Sequence, residues 1–136
     1  MSDRAVSNTP LLDFSDKKLL QPIPEDLHEL ASSYFTNTEL DLLQKAHSVA
    51  TEAHKNQFRQ EGSPYITHPI AVASILLKLN LDVETVCAGL MHDVLEDSVI
   101  KKSYLEKLFG KETIVIIDGV SNLNKLDFDS LADRNA

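Results

Sequence analysis

The pair His92-Asp93 is the part of this sequence best suited to chemistry. It follows a run in which apolar residues recur at helical intervals, at a place where the pattern would continue with leucine or valine. A carboxylate buried there without a partner would be costly, whereas a divalent cation accepts both a neutral imidazole and a carboxylate as ligands. The pair therefore predicts a metal site.

Two acidic residues follow this pair at a helical spacing. On one continuous helix, Glu96 and Asp97 would lie one turn beyond His92 and Asp93. The helix dipole disfavours acids at a helix C-terminus, so a functional reason for them is favoured over chance. An acid within a turn of a metal ligand can position an attacking water or take its proton without a large motion. We assign that role to Glu96 first and to Asp97 second.

His68 is a third candidate metal ligand. It lies just before a predicted helix, where its side chain can turn towards a neighbouring helix. With His92 and Asp93 it supplies three of the four ligands of the HD signature, in which an aspartate from a later helix completes the site. No later aspartate of this chain lies in a suitable apolar helix: Asp118, Asp127, Asp129 and Asp133. We expect the fourth ligand beyond Ala136.

The predicted elements that would position these groups begin with two helices. A short amphipathic helix is predicted from Pro24. A long helix is predicted from the capping-box spacing of Thr36 and Glu39 to about Phe58. The segment 60–64 then has the composition of a loop.

Further helices are predicted after this loop. Pro69 fits the first position of one helix, and Asp82 fits the N-cap of the next, which continues through the His-Asp pair. Another capping-box pair, Ser103 and Glu106, starts a helix that stops at Gly110.

The remaining segments are assigned by composition. The run 113–117 is β-branched, but it has no partner strand in the sequence, so we assign it to a buried helix and predict an all-α fold. Residues 1–21 are expected to form a flexible leader, and 22–136 the N-terminal portion of a helical domain. Cys87 lies in an apolar run and is interpreted as a packing residue.

Composition limits the partners. The net charge of −8 argues against a surface that follows nucleic-acid phosphates, and an anionic ligand would need a local cation to offset this charge. No run of roughly 18 apolar residues is present to span a membrane, and the first residues lack a secretory pattern. The expected location is the cytoplasm.

Three segments together carry a family resemblance: Ala-His-Lys-Asn-Gln-Phe-Arg at 53–59, Gly-Ser-Pro-Tyr-Ile-Thr-His-Pro-Ile-Ala-Val-Ala at 62–73, and Ala-Gly-Leu-Met-His-Asp-Val-Leu-Glu-Asp at 88–97. They resemble the HD-type hydrolase domain of the RelA/SpoT family, and the likeness extends over about residues 40–126. The resemblance implies an all-α helical bundle of the HD type. It also implies Mn²⁺-dependent hydrolysis of the 3′-pyrophosphate of ppGpp or pppGpp, which yields GDP or GTP and pyrophosphate in the stringent response.

The resemblance also assigns roles to single residues. Three positions match the metal ligands, two match the acids that handle the attacking water, and one matches a basic residue that packs against guanine: His68, His92 and Asp93; Glu96 and Asp97; and Arg59. Beside Arg59 this chain has Gln60-Glu61, where many relatives have a basic or small residue. Long members of the family continue into a GTP pyrophosphokinase domain, which we expect in the parent protein.

Two alternatives stay open. Another HD-type nucleotide phosphohydrolase would share the metal but not Arg59 and its loop. A non-catalytic regulatory module would not need His92 and Glu96, and both are present. For residues 1–136 alone we expect weak metal binding, little hydrolysis and association into a homo-oligomer that covers an apolar face.

Overall fold

Seven helices follow one another in the computed structural model, which describes residues 13, 14, 16 and 20–121. Six of them are α1 (Glu25–Ser32), α2 (Asn37–Ala53), α3 (Thr67–Lys78), α4 (Val83–Met91), α5 (Val94–Asp97) and α6 (Lys102–Phe109). The seventh, α7, covers 111–121. Within these described residues the β-structure is limited to an isolated bridge between Phe58 and Pro64. The prediction of an all-α fold is confirmed.

The start of α2 is confirmed, but its predicted end is wrong. The Thr36 hydroxyl accepts a hydrogen bond from the Glu39 amide at 3.2 Å, and the Glu39 carboxylate accepts one from the Thr36 amide at 2.9 Å. The helix ends at Ala53 rather than near Phe58. Asn56 has a φ of 67°, a left-handed conformation that asparagine tolerates and that a helix cannot contain.

The starts of later helices are partly as predicted. Asp82 caps α4, since its carboxylate accepts from the Thr85 amide at 3.0 Å. In α3, however, Pro69 occupies the third position rather than the first, because the helix already begins at Thr67. His68 therefore lies inside the first turn of α3 and not before it.

The predicted capping box of α6 is also wrong, whereas its C-terminal stop is confirmed. Lys101 occupies the N-cap position in an extended conformation and makes no side-chain capping bond. Ser103 is consequently already helical, and a capping hydroxyl must come from the non-helical residue before the helix. Gly110 ends α6 with a φ of 92°.

The fold is centred on α4, which packs against both α2 and α3. Most of its residues are buried, as expected for a helix that is apolar on nearly every side: Val83, Val86, Cys87, Ala88, Gly89, Leu90 and Met91. Cys87 is among them, and burial raises the pKa of its thiol, which fits a packing role. In turn, α1 packs on α3, and α5 packs on α2.

The two ends of the described chain also contact this core. Phe14 is buried and its amide donates to the Tyr104 hydroxyl at 3.0 Å, while the Gln21 amide donates to the Ser48 hydroxyl at 2.7 Å. The flexible leader predicted for 1–21 otherwise lies outside the described residues. The run 113–117 is helical and buries Thr113, Ile114 and Ile117, so the helical assignment is confirmed. No helix in this described part of the chain has the length and apolar character of a membrane span.

Candidate metal centre

Three predicted ligands lie together where the first turn of α3 meets the end of α4. One ligand atom from each of His68, His92 and Asp93 lies within 4.8 Å of the others. The imidazole rings of the two histidines have centroids 5.4 Å apart and are inclined at 70°. The structure therefore brings His68 to the adjacent pair His92 and Asp93, which lie 24 and 25 residues further along the sequence.

The helix through the His-Asp pair is interrupted, which corrects the prediction of one continuous helix. α4 ends at Met91, His92 and Asp93 form a turn, and the single turn α5 follows from Val94 to Asp97. The His92 Nδ1 donates to the Gly89 carbonyl oxygen at 2.7 Å. This bond leaves Nε2 directed to the Asp93 carboxylate, 3.0 Å away.

The close approach of α3 and α4 depends on Gly89. A Cβ at this position would lie 2.6 Å from Leu76 Cδ1 and 3.3 Å from Val72 Cγ1, both on α3. Any side chain at position 89 would therefore force the Leu76 side chain to move or the two helices to separate. His68 lies in the first turn of α3 and His92 follows Gly89 by less than one turn, so a separation of the two helices at this contact would change the distance between the two imidazoles.

The charge states of the cluster fit a cation site. Burial lowers the pKa of His68, and the neighbouring His92 and Arg59 lower it further, so this imidazole is neutral at pH 7. Burial alone would raise the pKa of Asp93, but hydrogen bonds from His92 and Tyr65 outweigh it and bring the pKa to about 2. A neutral imidazole and an ionised carboxylate are the forms that bind a metal.

His92 also has the environment of a metal ligand. Burial alone would lower its pKa, but the bonds to Asp93 and to the Gly89 carbonyl raise the pKa above its ordinary value. The 3.0 Å contact between His92 Nε2 and Asp93 Oδ2 places a nitrogen donor and an oxygen donor side by side. Metal-ligating histidines usually donate their other ring N–H to a carbonyl or carboxylate, as His92 does to Gly89. Two imidazoles and one carboxylate thus form a donor set suited to a divalent transition metal.

The acidic pair lies on α5, at the exposed edge of this cluster. Partial burial and then the negative charge of Asp93 raise the pKa of Asp97, and the charge of Glu96 adds to this effect. Asp97 therefore lies within the electrostatic field of the predicted ligands. The ranking of Glu96 before Asp97 stays a prediction.

Arg59 is presented by a tight turn beside the cluster. Its amide donates to the Ser63 carbonyl at 2.8 Å, and the Gly62 amide donates to the Arg59 carbonyl at 2.9 Å. Gly62 has a φ of 100°, which favours glycine. The Arg59 side chain is exposed, yet its charge helps to lower the pKa of His68 after the larger effect of burial. The positively charged Arg59 side chain is thus available near the predicted ligands.

No fourth ligand joins the cluster from the described residues. Asp118 lies on α7, where its carboxylate pairs with the Lys102 ammonium at 2.7 Å. The other three aspartates considered above, Asp127, Asp129 and Asp133, lie outside the described residues.

Several residues around the site were missed by the sequence interpretation. The Tyr65 hydroxyl donates to Asp93 Oδ2 at 2.5 Å. Burial and this hydrogen bond raise the pKa of Tyr65 well above its ordinary value, so the hydroxyl keeps its proton and remains a donor. On α7, the Ser121 hydroxyl donates to the His92 carbonyl at 3.3 Å. Tyr65 lies within the segment 62–73, which carries the family resemblance. Its place in this segment is the signal by which the sequence could have indicated a role for it.

Gln57 links the end of α2 to the end of α5. Its Nε2 donates to the Ala53 carbonyl at 3.2 Å and to the Asp97 carbonyl at 3.0 Å. With the amide oriented in this way, Oε1 accepts from His54 Nδ1 at 3.0 Å. The opposite ring nitrogen of His54, Nε2, is buried and has no hydrogen-bond partner among the residues that the structure describes. This network positions the backbone of the acidic pair.

Comparison with known families agrees with this geometry. The family model described as "HD domain" matches residues 46–135, which include all three predicted ligands and the acidic pair. The match therefore covers most of the chain.

Several curated proteins are similar over a larger part of the chain. The bifunctional (p)ppGpp synthase/hydrolase SpoT of Escherichia coli (strain K12) is 45% identical over 104 residues, which are 76% of this chain and 15% of that protein. A guanosine-3′,5′-bis(diphosphate) 3′-pyrophosphohydrolase of Vibrio cholerae is 43% identical over the same length and coverage. A GTP pyrophosphokinase of Myxococcus xanthus is 36% identical over 116 residues, or 85% of this chain and 15% of that protein. The matched part thus spans about one seventh of the length of these relatives.

Proposed function

This chain belongs to the HD domain family, and we propose that it forms the metal-binding part of an enzyme that hydrolyses the 3′-pyrophosphate of ppGpp and pppGpp. The observation that carries this proposal is the convergence of His68, His92 and Asp93, with ligand atoms within 4.8 Å. Relatives named as 3′-pyrophosphohydrolases support the choice of substrate. The products would be pyrophosphate and GDP from ppGpp, or GTP from pppGpp.

We propose Mn²⁺ as the metal, held by the two imidazoles and the carboxylate of this cluster. Imidazole nitrogen and carboxylate oxygen together suit first-row divalent cations. Such an ion would supply positive charge against the phosphate oxygens and acidify nearby water. The cation would also reduce the repulsion between an anionic nucleotide and a chain of net charge −8.

The residues of the chain then divide the remaining tasks. In the reaction, water attacks the phosphorus bonded to O3′, the bond between this phosphorus and O3′ breaks, and O3′ takes up a proton. Asp97 and Glu96 are suited to orient the water and take its proton, since both lie on α5 beside Asp93. Arg59, at the exposed turn, is suited to contact the anionic nucleotide or its base.

We place this activity in a longer, cytoplasmic protein. Relatives named as a bifunctional synthase/hydrolase and as a GTP pyrophosphokinase suggest that the parent protein also synthesises these nucleotides. Guanine nucleotides are cytoplasmic metabolites, which suits the proposed location.

The proposal can be tested on the full-length protein by following pyrophosphate release from ppGpp with Mn²⁺. We expect His92→Ala and Asp93→Ala each to lower hydrolysis more than about 100-fold, because even outer partners of metal ligands cost 10–100-fold. His28→Ala is the matched control, since His28 is exposed on α1 away from the cluster. Any synthetase activity should remain in all three variants.

Two results would contradict the proposal. Undiminished hydrolysis by His92→Ala or Asp93→Ala would remove the metal role of these residues. A panel of other nucleoside phosphates and cyclic dinucleotides, assayed in parallel, would reveal a different HD-type phosphohydrolase if one of them were cleaved in preference to ppGpp. A wild-type protein that cleaves none of them would favour a regulatory module.

A further inference from the structure

Tyr65 contacts the predicted metal centre from the loop between α2 and α3. Its hydroxyl donates to Asp93 Oδ2 at 2.5 Å, across 28 residues of sequence. Its ring centroid lies 5.8 Å from that of His68, in an edge-to-face arrangement. One side chain therefore contacts two of the three predicted ligands, His68 in the first turn of α3 and Asp93 in the turn after α4.

The position of Tyr65 is determined by contacts other than the one with Asp93. Its amide donates to the Gln57 carbonyl at 2.9 Å, and its carbonyl accepts from the His68 amide at 2.9 Å. Its ring packs against the ring of the buried His54, with centroids 4.7 Å apart and an angle of 49° between the planes. These contacts hold the ring in place, so the hydroxyl provides a preset hydrogen-bond donor for the Asp93 carboxylate.

We propose that Tyr65 is a positioning residue, which holds the Asp93 carboxylate in the orientation needed to bind the metal beside His68 and His92. The inference rests on the proposed function, because it requires the cluster to bind a cation. Asp93 Oδ2 lies 2.5 Å from the Tyr65 hydroxyl and 3.0 Å from His92 Nε2. In a metal-bound site His92 and Asp93 would both be ligands, so the Tyr65 hydroxyl would be the hydrogen-bond donor that orients the carboxylate.

The Tyr65 hydroxyl has a second effect, which opposes metal binding. A hydroxyl that donates to a carboxylate also withdraws negative charge from it, which weakens the attraction to a cation. If this loss of negative charge were larger than the effect of orientation, removal of the hydroxyl would strengthen metal binding. If orientation dominates, removal weakens it, and hydrogen-bond partners of metal ligands typically contribute 10–100-fold to metal affinity.

The test is Tyr65→Phe in the full-length protein, because phenylalanine keeps the ring contacts with His54 and His68 and removes a single oxygen. Mn²⁺ binding to the metal-free protein is measured by isothermal titration calorimetry, and the metal-free melting temperature is measured beside it. Tyr34→Phe is the matched control, since Tyr34 is 46% exposed and lies outside the cluster. For Tyr65→Phe we expect a Kd for Mn²⁺ that is about 10–100-fold larger, and an unchanged melting temperature. The Tyr34→Phe control should change neither the Kd nor the melting temperature.

Hydrolysis provides a second measurement that a purely structural role would not affect. For Tyr65→Phe, raised Mn²⁺ should restore kcat towards the wild-type value, with little change in KM for ppGpp. Unchanged or tighter Mn²⁺ binding by Tyr65→Phe, with normal wild-type binding, would overturn this inference alone. A large drop in the metal-free melting temperature would also overturn it, because the role would then be structural. Absence of Mn²⁺ binding by the wild type would overturn the proposed function as well.

Discussion

The substitution Gly89→Ala tests how the packing of α3 against α4 controls the metal centre. The added Cβ would lie 2.6 Å from Leu76 Cδ1 and 3.3 Å from Val72 Cγ1. The first distance is shorter than any normal contact, so the half-buried Leu76 side chain must move. Overpacking of this kind costs about 1–3 kcal/mol. Replacing glycine by alanine inside a helix contributes about 1 kcal/mol in the opposite direction.

The net change in the free energy of unfolding for Gly89→Ala should therefore lie between about zero and a 2 kcal/mol loss. Gly119→Ala is a suitable control, because Gly119 lies in helix α7 and an added Cβ there would meet no atom of the described residues within 4 Å. It should gain about 1 kcal/mol from helix propensity alone. The difference between the two variants measures the packing strain, about 1–3 kcal/mol.

The packing strain in Gly89→Ala should also affect the predicted metal centre. Any separation of α3 from α4 moves His68 away from His92, whose Nδ1 bonds to the Gly89 carbonyl. We therefore expect weaker Mn²⁺ binding by Gly89→Ala and unchanged binding by Gly119→Ala. Urea unfolding followed by circular dichroism gives the stabilities, and calorimetry gives the metal affinities. Equal stabilities and equal affinities of the two variants would refute this account of the helix contact.

Three further predictions concern other parts of the molecule. Thr36→Ala should lower the free energy of unfolding by about 1 kcal/mol, because the capping box is lost. The control Thr38→Ala, at an exposed helical position, should change this free energy less. Similar losses for the two variants in urea titrations would contradict the role of the cap. Burial lowers the pKa of His47 below its ordinary 6.5, so its unfolded form takes up a proton first as the pH falls. The free energy of unfolding should therefore fall below pH 6.5 by up to about 1.4 kcal/mol per pH unit, until the pKa of His47 in the folded protein is reached. His47→Gln should reduce this dependence on pH. An identical dependence in the variant would refute the role of His47. Ile75 and Leu79, one turn apart at the end of α3, are 58% and 63% exposed, so we expect residues 1–136 alone to associate through this face. Ile75→Glu should shift them towards monomer in sedimentation velocity, and an unchanged association would exclude this face.

The features that depend on neighbouring residues could be predicted from the sequence. The caps Thr36 and Asp82 were identified because a capping bond joins residues three positions apart. The all-α fold followed from apolar periodicity, which is also local. His68, His92 and Asp93 were singled out by residue type and context. Their roles as ligands remain a proposal, although the structure places their ligand atoms together.

Features that depend on distant residues were decided by the tertiary structure. The helical pattern continues through His92 and Asp93, yet the chain turns there, where the Ser121 hydroxyl and the Tyr65 hydroxyl bond to these two residues. Gln57 reaches the Asp97 carbonyl across 40 residues, and Phe14 reaches Tyr104 across 90. Such contacts follow no sequence period, because they depend on how whole helices pack. The sequence by itself therefore determined which residues are able to bind a metal, and packing around α4 decided their distances, charge states and supporting contacts.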